Sequence, residues 1–229
     1  MTGASNRFAH AAVTAVAHDP GHVYNPLWLY GPSGTGKTAL LRAVLEQIRL
    51  HRPELRIGTL EGEEFVRKLI HTIQTGSRAE FQSWLSDLDV LAVDHLDLLQ
   101  GKVFTQLELA QVLSQLANRD CQVIVVSCCP PEMLEELHQS LRESCQWYLQ
   151  ADIQSPTEEE RLAMVRQTLG ELALTLPDPL IRRIVRQAHT HCRIRFILNQ
   201  LSIRQKLLGP DAGSMAKLLD TLLERKATV

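Results

Sequence analysis

Up to Ser155, short unbroken apolar runs alternate with stretches of helical spacing; beyond Ser155-Pro156 only the helical spacing continues. Ser5 or Asn6 stands where a helix cap is expected. Phe8, Ala12, Ala15 and Val16 then follow at helical intervals until Asp19-Pro20-Gly21 ends the element. LWLY (27–30) predicts a short strand, Lys37 to about Leu50 a helix, and 55–60 a second strand. Helical segments at 63–74 and 78–86 are parted by Thr75-Gly76. DVLAVD (89–94) predicts a strand buried on both faces, and a helix over 105–117 leads to the run 122–129. CQWYLQADI (145–153) predicts the last strand. Alternation of this kind implies a parallel sheet flanked by helices. Helices at about 157–170, 178–188, 193–208 and 214–225 have no strands between them and predict a separate all-helical part.

Between the first strand and the helix from Lys37 stands GPSGTGKT, Gly31 to Thr38, which fits G-x-x-x-x-G-K-[ST]. In such a loop Gly31, Pro32, Ser33, Gly34, Thr35 and Gly36 turn backbone N–H groups onto phosphates, and Lys37 reaches the outer ones. The Thr38 hydroxyl is a magnesium ligand, and the helix behind it points its positive end at the same anion. Asp94 closes an apolar strand 57 residues after Lys37, where a carboxylate holds the magnesium through water. ATP or ADP with Mg2+ is the expected ligand.

Composition narrows the reading little. A chain of 229 residues can bury a large core without staples. A net charge of −2 argues against binding nucleic acid by bulk electrostatics. Leu180 to Pro210 nevertheless holds seven Arg or Lys and no acid. Five cysteines without C-x-x-C or zinc spacing predict reduced thiols and a cytoplasmic protein; a strained disulfide between adjacent Cys128 and Cys129 is the alternative. Neither a signal core nor an apolar run of spanning length is found in the sequence, so no membrane partner is expected.

SNRFAHAAVTAVAHDPGHVYNPLWLYGPSGTGKTALLRAV resembles the AAA+ domain of the bacterial chromosomal replication initiator, DnaA. So do EEFVRKLIHTIQ, EFQSWLSDLDVLAVDHLDLLQGK and SCCPPEML. The resemblance runs nearly ungapped over residues 1–165 and more loosely beyond. It implies a P-loop AAA+ core over 1–155, with a parallel five-stranded sheet and the helical insertion of initiators at about 63–86, followed by a helical lid over 156–229. The chain is expected to begin and end at the AAA+ unit, without the domain that reads double-stranded origin boxes, and in this it is similar to Hda-type regulators. Those hold the sliding clamp through an N-terminal peptide of glutamine and apolar residues that residues 1–10 do not match, which argues against a clamp partner.

Two positions depart from the family pattern, and a third aligns in more than one way. The family has a second acid where this chain has His95, which either serves as a base or marks lost catalysis; Asp97 is a further substitute. Where the family reads L-x-S-R-F-x-W-G-L, this chain places Ser144 at the arginine finger, preceded by Glu143, with Arg142 two residues away. The lid sensor arginine falls at Cys192 or Arg193, with Arg195 next along, and Arg193 is the assignment made. The resemblance also implies a polar sensor at Ser127, and contacts to single-stranded DNA from Ile70 and Lys102. The expected function is a nucleotide-binding regulator or partner of the initiator with little or no hydrolysis. An active ATPase using His95 and a single-strand DNA-binding module are the alternatives.

Overall fold

The computed structural model describes residues 3–209 and 211–224; the remainder of the expected lid span, Pro210 and 225–229, and the first two residues of the chain lie outside the described residues. Two compact units are present: Asn6–Ser33 with Lys37–Ile153, and Met1–Ser5 with Gly34–Gly36 and Gln154–Val229.

The first unit holds five strands, β1 (Leu27–Tyr30), β2 (Ile57–Glu61), β3 (Val90–Asp94), β4 (Gln122–Ser127) and β5 (Leu149–Asp152). All pairings are parallel and the order is β2-β3-β4-β1-β5, the expected α/β architecture. Every residue of β3 and β4 is buried, because helices cover both faces. On one face α1 (Arg7–His18) and α2 (Lys37–His51) pack through Val13, Val16, Leu41 and Ile48 onto Leu27, Leu29, Ala92 and Val126. On the other, α3 (Gly62–Thr75), α4 (Arg78–Ser86), α5 (Val103–Ala117) and the short α6 (Gln139–Cys145) pack through Phe65, Leu85, Leu113 and Leu141 onto Trp28, Leu91, Val93 and Val125. Asn25 fixes one end of the sheet: its Oδ1 accepts from Val123 N at 2.9 Å and its Nδ2 donates to the Cys121 carbonyl at 3.0 Å.

Two sequence expectations shift. The inward face of α1 carries Ala9, Ala12, Val13, Val16 and Ala17, whereas Phe8 is 53% exposed. At about 100° per residue the buried positions 9, 12, 13, 16 and 17 share one face of the helix, and Phe8 falls at its margin. The expected strand over 145–153 begins only at Leu149, because Cys145 ends α6. Leu141 and Cys145, four residues apart, form the buried side of that helix, and helical spacing overrides the apolar run.

The second unit is helical: α7 (Glu158–Glu171), α8 (Asp178–Gln187), α9 (His191–Leu208) and α10 (Ala212–Glu224). Val165, Ile184, Ile197, Leu201 and Leu219 form its core. A capping box opens α7: Thr157 Oγ1 accepts from Glu160 N, and Glu160 Oε2 accepts from Thr157 N at 2.8 Å. The described residues contain no helix long and apolar enough to cross a membrane.

Candidate nucleotide site

In a sheet of this order the loops at the carboxyl ends of β1, β3 and β4 gather at one edge, where α/β proteins bind ligands. Gly31 to Thr38 leaves β1, Asp94 ends β3 and Ser127 ends β4. Gly34 and Gly36 adopt φ of 78° and 101°, which side chains resist, so the loop's path requires glycine at both. Lys37 and Thr38 begin the 15-residue α2, whose first N–H groups carry positive partial charge. The Lys37 ammonium is nearly buried and donates to the carbonyls of Gly31 at 2.6 Å and Pro32 at 3.0 Å. Glycine backbone, helix terminus and cation together suit a polyphosphate.

Thr38 and Asp94 line a common cavity of about 420 Å3 with Leu41, Arg42, Glu61 and Ala92. Asp94 is 6% exposed, and its Oδ1 accepts from His95 N at 2.8 Å. A hydroxyl beside a nearly buried carboxylate is a donor set that fits a hydrated magnesium ion. His95 has a left-handed backbone, φ 53° and ψ 45°, and its ring folds back until Nε2 lies 3.9 Å from Asp94 Oδ2. Asp97 is occupied elsewhere, accepting from Cys128 N at 2.9 Å.

The Ser127 hydroxyl is fully buried; it donates to the Cys129 carbonyl and accepts from Trp28 Nε1 at 2.9 Å. Cys128 and Cys129 are free thiols with Sγ atoms 3.7 Å apart, and burial pushes Cys129 up to about 11. On α9, Arg193 donates to the Leu222 carbonyl of α10 and lies 5.9 Å over the Phe196 ring, whereas Arg195 is exposed.

At the finger position, Ser144 Oγ donates to the Ser140 carbonyl at 2.8 Å, and Glu143 Oε1 accepts from Gln139 Nε2 at 2.7 Å. Arg142 is tied inward: Nη1 donates to the Pro131 carbonyl at 2.7 Å and Nη2 to Leu134 at 2.6 Å. Next to them Trp147 is 87% exposed, a feature that the apolar run 145–153 hides in the sequence. On the insertion, Ile70 is 49% exposed on α3; outside it, just before α5, the exposed Lys102 donates to the Leu98 carbonyl at 3.0 Å. Phe104, two residues on and not anticipated, is 55% exposed. It lines a cavity of about 520 Å3 among α3, α4 and α5, together with Ile73 and Phe81.

Residues 1–152 match the family model for the bacterial DnaA ATPase domain. The chain is 38% identical over 193 residues to the chromosomal replication initiator protein DnaA of Cutibacterium acnes, covering 84% of this chain and 39% of that protein. With its counterpart from Symbiobacterium thermophilum the figures are 35%, 84% and 42%. The chain therefore spans about two fifths of the length of these relatives. Among solved structures, domain III of the Thermotoga maritima replication initiation protein DnaA superposes with a TM-score of 0.90 at 28% identity, over 97% of this chain and 94% of that one. The replication initiator DnaA bound to AMPPCP and single-stranded DNA shares the fold, with a TM-score of 0.85 at 23% identity over 96% of this chain and 66% of that one.

Proposed function

The chain belongs to the bacterial DnaA ATPase-domain family, and from that premise we propose that it binds ATP or ADP with Mg2+ and acts in replication initiation by docking onto the initiator. Gly31 to Gly36 wrap the phosphates, Lys37 meets the outer charge, and Thr38 with Asp94 holds the hydrated metal. Bound magnesium would neutralise phosphate charge; the protein's own part is to orient the nucleotide for a partner. Hydrolysis by the chain on its own is slow, because no second copy of it can bring an arginine from the finger position to the charge developing on a neighbour's phosphoryl group, a cation worth about 10³–10⁵ in rate.

One observation carries the reading: α6 presents Ser144 and Glu143 while Arg142 is held by backbone carbonyls. AAA+ filaments join a nucleotide face to a finger face, a heterologous contact that repeats. Here the nucleotide face keeps its phosphate loop, and the α6 face has a serine where a cation belongs, with the Glu143 carboxylate beside it. The chain is thus suited to accept an initiator's finger and to offer none. Light scattering with Mg-ATP should show a monomer or at most a weak dimer, and Glu143→Ser with Ser144→Arg should increase self-association. Polymerisation of the wild type to the same extent as the double variant overturns the reading.

A second reading has its own support. Exposed Ile70, Ile73 and Phe104 with Lys102 offer apolar and stacking contacts plus a cation, which is what a single strand requires, and the AMPPCP-bound initiator of similar fold was captured with single-stranded DNA. Oligonucleotide binding that weakens with salt and is lost on Phe104→Ala supports it; unaltered binding by that variant removes it.

A further inference from the structure

The acid missing after Asp94 is present on the neighbouring strand. Glu61 closes β2, and the parallel register sets it directly across from Asp94. Residues paired in this way point to the same side of a sheet. That side is the one covered by α2, since Ala92, two residues before Asp94, packs into the α1–α2 layer. Thr38, Glu61 and Asp94 accordingly line one cavity. Glu61 has no evident local duty: it occupies the cap position of α3 without a side-chain capping bond, and among the described residues it joins no ion pair. Gly62 brings it there. A β-carbon at Gly62 would lie 2.5 Å from the His95 carbonyl oxygen, so glycine lets the β2–α3 corner close on the end of β3. His95, by contrast, is turned back against Asp94.

We propose that Glu61, not His95, is the carboxylate that orients and deprotonates the attacking water in the slow hydrolysis expected of this site. The inference rests on the nucleotide reading above. As the water oxygen bonds to the terminal phosphorus, the bond from that phosphorus to the bridging oxygen breaks and its electron pair leaves with ADP. The water proton passes to Glu61 and from there to the new phosphate, leaving ADP and dihydrogen phosphate. A positioned base of this kind contributes about 10²–10⁴-fold.

The test follows two readouts on the whole chain held with Mg-ATP: the identity of the bound nucleotide over time, and the melting temperature. Wild type should convert bound ATP to ADP slowly. Glu61→Gln should slow conversion by about 10²-fold while keeping the wild-type thermal shift, Glu61→Asp should fall between them, and His95→Ala should convert like wild type. Undiminished conversion in Glu61→Gln, or its loss in His95→Ala, overturns the proposal. So does a wild type that nucleotide stabilises but that converts no faster than Lys37→Ala. A melting temperature unmoved by any nucleotide overturns the nucleotide reading itself, and this proposal with it.

Discussion

Lys37 shows how much of a site one side chain can hold. Its ammonium is tied to two carbonyls of its own loop, so the loop and the cation are positioned together. A ligand at 100 times its dissociation constant stabilises the folded state by about 2.7 kcal/mol. Mg-ATP at that excess should raise the melting temperature of the wild type, and Lys37→Ala should abolish the rise in a thermal shift assay. Gly62 makes a different demand, for space and not for charge. Gly62→Ala would drive a methyl group into the His95 carbonyl, a backbone atom that cannot swing aside. A loss of about 1–3 kcal/mol in urea denaturation is expected, the usual range for overpacking. The phosphate loop was legible in the sequence because eight consecutive residues carry its chemistry. The pairing of Glu61 with Asp94 was not: 33 positions part them, and only the register of β2 on β3 brings them together.

At the level of elements, the strands that the sequence showed best are those buried on both faces. β3 and β4 are continuous apolar runs with no competing pattern. The end of the core unit misled for the opposite reason: Cys145 to Ile153 is apolar enough for a strand, yet its first residue serves a helix. Burial there pushes the Cys145 thiol up to about 12 and raises the Tyr148 phenol as well, so neither charges near neutrality. The start of α7 offers a test of pH dependence. Burial pushes the Glu160 carboxyl up, but hydrogen bonds from Thr157 and Ser5 outweigh it and leave the group below its ordinary value. A depressed carboxylate stabilises the fold above its unfolded pKa and loses that contribution as pH falls through the folded one. The stability advantage of wild type over Glu160→Gln should therefore be full at pH 7 and shrink on acidification below the usual carboxylate range, in urea titrations at each pH. Thr157→Ala, which removes the other half of the box, should cost about 1 kcal/mol at pH 7.

For the molecule as a whole, the proposed docking rests on an asymmetry between two faces. Trp147 reports on one of them, since Trp28 is fully buried and Trp84 only partly exposed. If the initiator docks on the nucleotide face, Trp147 should remain open to acrylamide in the complex. The difference in quenching between wild type and Trp147→Phe measures it, and full protection of Trp147 would place the contact on α6 instead. The family resemblance made the two faces readable from sequence, but the inward commitment of Arg142 had to be seen in three dimensions. A serine beside an arginine two residues away leaves open whether the cation can be borrowed; hydrogen bonds from Arg142 to backbone carbonyls speak against it. That commitment has a consequence for dosage. If the chain joins an initiator filament without extending it, as proposed, it acts on growing ends and not on the subunits behind them. Its effect should then scale with the number of filaments in a cell, so a few copies could limit an initiator present in large excess.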